Sequence, residues 1–568
     1  MKSSLSIFSL MALLALQSVG GVSVNYGNPP TNPTVSIKNG TVLGRHSPEW
    51  KQDFFLSIPY AKPPVGDLRF RPPHFIDKPL GEIVAQNYGS HCYGYGDDQK
   101  GYKVSEDCLT LNVVRPAGLK SHDKLPVAVW IHGGGFVMGG ANNIRYNLTW
   151  LVDQSVKIGK PIIGVSINYR LAGWGFISSK EVAGTLNLNT GLKDQRLALH
   201  WVQENIKSFG GDPAKVTIFG ESAGGASVGF QHIAYNGRDD KLFRGAIMQS
   251  GGSLFYGSSQ YPCDTQKAYD TVANATGCLD ATDSLDCMRK VDVHILDSLF
   301  NVTAFTPVID GSFVPGFGSS AIKNGRYVKV PTIIGTTSDE GASFGQIGAN
   351  SDDDIRGYLQ ATTTLKPSAI KRLLELYPVG VSVPPAENFT GPDDGTANGT
   401  LLYGSQYHRA AAIVGDWFFI ANRRFMSRAL ASQGCDTWSY RYRTRNQGFQ
   451  TWYRAGHFAE IAPLFLNFEG IGYDGPYDNG NPMGGVNAPY YRKLGDFMSR
   501  NWISFVHDLD PRTATKPGEV QWLKYSEGNG KSQIVFDIGV DGGTYMETDD
   551  YREEGMAFMN EYAVQGNR

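Results

Sequence analysis

At 568 residues, 41% of them hydrophobic and only 19% charged, the chain carries enough apolar surface for a large buried core, which excludes a disordered tail or a small disulfide-stapled module. Lys+Arg 52 nearly cancel Asp+Glu 54, for a net charge of −2, so the sequence has no basic footprint for nucleic acid or an anionic membrane, and a neutral or small substrate is expected. Single-sheet α/β enzymes grow by long insertions, so the length predicts one catalytic unit over residues 21–568 rather than several domains.

Residues 1–20 read as a signal peptide: Lys2, an apolar run from Leu5 to Leu16, then the small residues Ser18 and Gly20. That run is too short to span a bilayer, and the sequence closes on the polar segment NEYAVQGNR, so a secreted, extracellular protein without integral membrane association is expected. Six sequons, at Asn39, Asn147, Asn274, Asn301, Asn388 and Asn398, are glycosylation candidates. The six cysteines (Cys92, Cys108, Cys263, Cys278, Cys287 and Cys435) form an even set without a CxxC, which favours disulfides over metal ligation in an oxidising compartment. Six cysteines permit about 15 pairings, so arithmetic alone does not fix them.

Apolar, β-rich runs then recur between helical stretches: VAVWIH from Val127, PIIGVSI from Pro161, VTIF from Val216, GAIMQS from Gly245, VPTIIG from Val330 and TWSYRYR from Thr437. Strands alternating with helices predict an α/β fold on a mostly parallel sheet. The clearest helix is LKDQRLALHWVQENIKSF, with Ala198, Val202 and Ile206 at i, i+4 and i+8 and Gly210-Gly211 as the stop. Gly, Pro, Asp and Asn cluster at 379–400 and 473–488, which predicts long surface excursions there.

The string VTIFGESAGGASVGF places Gly220-Glu221-Ser222-Ala223-Gly224 between a strand and a helix. A sharp strand-to-helix turn needs glycines where side chains would collide, and it leaves the central serine hydroxyl exposed as a nucleophile. Earlier in the chain, His132-Gly133-Gly134-Gly135-Phe136 follows the strand VAVWIH. Glycines there let backbone N–H groups approach a developing oxyanion, so Gly134, Gly135 and Ala223 are the expected donors. A dinucleotide fingerprint fails because Met138 stands where its third glycine belongs.

A serine hydroxyl needs a histidine base oriented by a carboxylate, in the chain order Ser, acid, His for a turn of this kind. The strand VPTIIG followed by TTSDEG offers the acid, and either Asp339 or Glu340 could serve. Of the histidines beyond it, His408 and His507 lie in amphipathic helical text, whereas His457 in YRAGHFAE lies in loop text and is the expected base. An EF-hand reading of Asp537 to Thr548 is rejected, since its third position is Gly539 and its twelfth Thr548, so no metal and no organic cofactor is expected.

Taken together, EDCLTLNVVRP from Glu106, WIHGGGF from Trp130, NYRLAGWGF from Asn168, the long block from Asn189 through GESAGG, and GTTSDEGASF from Gly335 resemble the type-B carboxylesterase family, which includes cholinesterases and fungal lipases. The resemblance spans about residues 35 to 560 and implies the α/β-hydrolase fold, a large, mostly parallel central sheet flanked by helices with long loop insertions. It selects Glu340 over Asp339 and matches a histidine three residues before a glutamate, as His457 stands before Glu460. It also gives Glu221 and Ser250 supporting places near the histidine, and implies the pairs Cys92 with Cys108 and Cys278 with Cys287, while Cys263 and Cys435 have no family counterpart and their pairing stays open.

In related fungal lipases the first disulfide closes a longer excursion that acts as a lid. Here only 15 residues separate Cys92 from Cys108, and the loop lacks the tryptophan with which cholinesterases bind quaternary ammonium. The expected partner is therefore a small carboxylic ester, with an acylglycerol second and a choline ester well behind, handled by a monomer or weak dimer. Phe136, Trp452 and Phe458 are plausible lining. A catalytically silent binding protein is the rival from another class, opposed by the complete set of site residues.

Overall fold

A computed structural model describes residues 32–254, 260–380, 403–449, 451–474, 480–539 and 543–567. The signal-peptide segment, Asn388 and Asn398 lie outside them, as do most of 379–400 and part of 473–488. Eleven strands make the main sheet: β1 Arg45–Ser47, β2 Gln52–Pro59, β3 Thr110–Pro116, β4 Leu125–Ile131, β5 Ile163–Ile167, β6 Gly211–Glu221, β7 Gly245–Gln249, β8 Thr332–Thr337, β9 Thr437–Tyr442, β10 Ser532–Phe536 and β11 Tyr545–Thr548. Their spatial order is β1-β2-β3-β5-β4-β6-β7-β8-β9-β10-β11. From β5 to β10 every neighbour pair is parallel. The flanks are antiparallel, β3 on β5 with β2 and β1 beyond it, and β11 on β10.

All six runs expected from the sequence are interior strands of this sheet. The parallel strands are buried on both faces, which is why they appear as unbroken apolar text. Along β4 the period of two is visible in the packing: Val127, Val129 and Ile131 enter the core on one face, Ala128 and Trp130 the core on the other. The first face is covered by α2 Thr190–Asn205, α3 Ala223–Gly237 and α4 Ala421–Ser432, and the second by α1 Leu148–Lys157 and α5 Ala488–Asp508. Ala198, Val202 and Ile206 are fully buried as their spacing predicts, and Gly210 closes the helix end at φ +86°.

The disulfides Cys92–Cys108 and Cys278–Cys287 are formed. Cys263 and Cys435, whose pairing the sequence left open, are free thiols, the first exposed and the second 3.4 Å from the Tyr327 hydroxyl. Among the described sequons Asn274 and Asn301 are exposed, while Asn39 donates its amide to the Ile76 carbonyl and Asn147 caps α1 through Thr149. Among the described residues no helix is long and apolar enough to cross a membrane.

The parallel register sets the site. Gly220 of β6 lies level with Ile131 of β4 and Met248 of β7, and Gln249 of β7 lies level with Gly335 of β8. The segments that leave these strands, at His132, Ser222, Ser250 and Ser338, therefore emerge together at the carboxyl edge of the sheet, where open α/β sheets carry their ligands.

Candidate active site

The turn from β6 into α3 forces Ser222 to φ 57°, ψ −123°, a strained conformation for a residue with a side chain. It is held by its own amide donating to the Gln249 carbonyl (2.9 Å) and by Ala226 N–H donating to the Ser222 carbonyl (2.8 Å). The turn is so tight that a Cβ on Gly224 would lie 2.1 Å from the Ile131 carbonyl oxygen, which is why the motif needs glycine there. Ser222 itself is half-buried, between the buried Glu221 and Ala223.

Gly134 adopts φ +95°, with its absent Cβ position 2.3 Å from the Met138 carbonyl oxygen, so only glycine fits. Its own carbonyl is used inside the loop, accepting from Val137 and Met138, whereas among the described residues neither the Gly134 nor the Gly135 amide donates to the backbone. The Ala223 amide stands at the first position of α3, where the helix dipole favours negative charge.

Glu340 opens a short 3₁₀ turn, Glu340–Ser343, after β8, and its carboxylate is fully buried. Oε1 accepts from the Ser250 hydroxyl (2.5 Å) and from the Thr337 amide (2.8 Å), leaving Oε2 to meet His457 Nδ1 at 2.6 Å. Ser250, like Ser222, has positive φ. Asp339 faces the other way, accepting from the Ala455 amide at 3.1 Å, so the two adjacent carboxylates divide between the imidazole and the backbone behind it. His457 sits in a loop after β9 between Arg454 and Phe458, both in the left-handed region, and Tyr453 donates its hydroxyl to the His457 carbonyl (2.6 Å).

The far nitrogen of the imidazole, Nε2, lies 3.2 Å from Glu221 Oε1, close enough for strong charge interaction but outside hydrogen-bond angles. Among the described residues it has no hydrogen bond, to Ser222 or otherwise. Such bonds commonly tighten only when substrate binds. Phe344 and Phe419 pack their rings 5.0 and 4.8 Å from the imidazole. Phe419 belongs to a π-helical turn, Asp416–Ile420, a local feature often found at functional sites. Both rings lie against the histidine. Phe136 is packed in the core against Phe176, Trp452 stacks on Tyr403, and Phe458 lies beneath Arg145.

Charge at this site is concentrated and buried. Burial by itself would push the His457 imidazole down, but the Glu221 and Glu340 carboxylates outweigh it and lift it to about 9. Burial raises the Glu221 carboxyl well above the carboxylate range, against the pull of His457, with Glu460 and Glu340 adding like-charge repulsion. Glu460, buried beside the Tyr440 hydroxyl, is raised to about 7 by burial and by Glu340. The sequence marked Glu460 only by its spacing from His457. A base must be neutral to accept a proton, so kcat/KM for ester hydrolysis is expected to rise with pH through the region near 9, a value that belongs to the coupled cluster. Glu221→Gln should move that limb about a pH unit or more lower, because the carboxylate beside Nε2 is gone. An unmoved limb in the variant would contradict this electrostatic assignment.

A buried Glu-His pair at the carboxyl edge of a parallel sheet, beside a strained serine on a strand-to-helix turn and an open glycine loop, defines an α/β-hydrolase. Its sequence matches the carboxylesterase family over residues 31–558, and the chain belongs to that family; it is a carboxylic ester hydrolase. It is 33% identical to Lipase 2 of Geotrichum candidum (96% of this chain and 97% of that one covered) and 36% identical to Lipase 4 of Diutina rugosa (92% and 95%). It is 32% identical to the secreted triacylglycerol lipase LIP1 of Gibberella zeae (93% and 90%). The crystal structure of Aspergillus niger EstA superposes with a TM-score of 0.79 at 28% identity, covering 94% of this chain and 99% of that one.

Proposed function

We propose that the chain is a secreted serine esterase working through Ser222, His457 and Glu340 as one catalytic unit within residues 21–568. The observation that carries the reading is the 2.6 Å bond from Glu340 to His457 Nδ1, which fixes the tautomer with Nε2 directed toward the Glu221-Ser222 turn. In this cycle His457 takes the Ser222 proton as the hydroxyl attacks the ester carbonyl. The oxyanion rests on the amides of Gly134, Gly135 and Ala223, each contributing about 3 kcal/mol to the transition state. The alcohol leaves with the proton from His457, and water then repeats the sequence on the acyl-enzyme.

A short, dissolved ester is the preferred substrate, because the Cys92–Cys108 segment has only 15 intervening residues. The names of the fungal relatives favour a second reading, triacylglycerol lipase. Hydrolysis of p-nitrophenyl esters from acetyl to palmitoyl, with and without an oil interface, separates them. An optimum at short chains, unmoved by oil, is expected. A long-chain optimum boosted by the interface would establish the lipase, and no hydrolysis of any ester would leave a binding protein.

A further inference from the structure

The disulfide-closed segment from Cys92 to Cys108 is tied to both halves of the active site. On one side it covers the chain just after the oxyanion glycines. Tyr95 N–H donates to the Val137 carbonyl (2.6 Å), and Gln99 Nε2 donates to the Gly139 carbonyl (3.3 Å). The approach is close enough that a Cβ on Gly94 would lie 2.7 Å from the Val137 oxygen, and one on Gly96 2.3 Å from the Met138 sulfur. The Tyr95 hydroxyl in turn accepts from Trp174 Nε1 at 3.0 Å.

On the other side Asp98 pairs with Arg145, both only 16–19% exposed. The Arg145 guanidinium lies 4.8 Å from the ring centre of Phe458, the neighbour of His457, and 5.9 Å from that of Tyr473. Arg145 is oriented by Asn143 Oδ1, which accepts its Nε–H at 3.2 Å, and its carbonyl accepts from Asn467. Next to it, the Ile144 amide donates to the Tyr102 hydroxyl (3.0 Å), and Tyr102 stacks on His91 at the base of the loop.

We propose that Asp98 and Arg145 are positioning residues: their ion pair clamps the oxyanion loop and the His457 turn into one frame, so that the 92–108 segment is a fixed brace. Neither touches the reacting atoms. Asp98 locks the loop that lies on Val137 to Gly139, and Arg145 carries the same lock to Phe458, which the backbone holds at φ +74°. The inference rests on the ester-hydrolase reading of this site. Small errors in the relative placement of an oxyanion hole and a base are amplified in rate, which is where loss of the clamp would appear.

The test compares the whole protein with Asp98→Asn, Asp98→Glu and Arg145→Met, reading p-nitrophenyl acetate kinetics and amide hydrogen exchange. For Asp98→Asn and Arg145→Met, kcat should fall about tenfold with KM within about twofold. Exchange should accelerate both in 133–139 and in 455–459, although these segments lie far apart in sequence. Asp98→Glu should recover part of kcat, and the Asp98→Asn, Arg145→Met double variant should lose little more than either single one. Exchange that quickens only within 92–108, or a raised KM at unchanged kcat, would overturn the clamp. If the wild-type protein hydrolyses no ester, the functional reading fails, while the exchange result still decides the clamp.

Discussion

Ser222→Ala is expected to lower kcat for ester hydrolysis by about a million-fold, leaving only what the oxyanion amides and substrate binding provide without a nucleophile. The protein should stay folded. Alanine has the same Cβ, so the strain at φ 57° is unchanged, and the bonds that fix the turn run through backbone atoms of Ser222, Gln249 and Ala226. Steady-state rates together with a melting curve check this: an unchanged melting temperature with lost activity is the expected pair, and activity retained in a purified variant would remove Ser222 from the reaction.

Glu340→Gln should cost about 10³ to 10⁴ in kcat through a different cause. The Ser250 hydroxyl and the Thr337 amide both donate to Oε1, so the glutamine carbonyl must occupy that position and its NH₂ group must face His457. An NH₂ can only donate, which requires Nδ1 to be unprotonated and puts the imidazole proton on Nε2, the atom that should accept from Ser222. Asp339→Asn is the control, since its carboxylate serves the Ala455 amide and leaves the tautomer alone. Equal losses in the two variants would mean that the acid is not Glu340 alone.

Why the sequence left these two acids undecided is visible in their geometry: they are adjacent, equally able to hold an imidazole, and separated only by the direction in which one turn after β8 points them. Ser222 was legible because a strand, a G-x-S-x-G and a helix in that order have one mechanical solution. The interior strands were legible for a related reason, burial on two faces. The outer five were not. β1 has three residues, none fully buried, β11 is half-buried throughout, and QDFFLSIP in β2 ends on Pro59, a residue that normally argues against a strand. Phe344 and Phe419 come to His457 from remote helical and loop segments, so no local pattern announces them. The state of Cys263 and Cys435 was not legible because an even count says nothing of distance.

Among the described residues the chain after Thr337 does not rejoin the sheet until Thr437, yet the strands on either side lie hydrogen-bonded as neighbours. Closing a longer excursion of that kind costs little, about 0.6 kcal/mol for each doubling of length. Glu340 stands three residues into the excursion, close to the end of β8, and His457 stands in the loop that follows β9, so their 2.6 Å contact is set from the two strands on either side. Because Phe344 and Phe419, both carried by this excursion, lie against the imidazole, substitutions along it can change the surroundings of His457 while the parallel strands on either side keep their register.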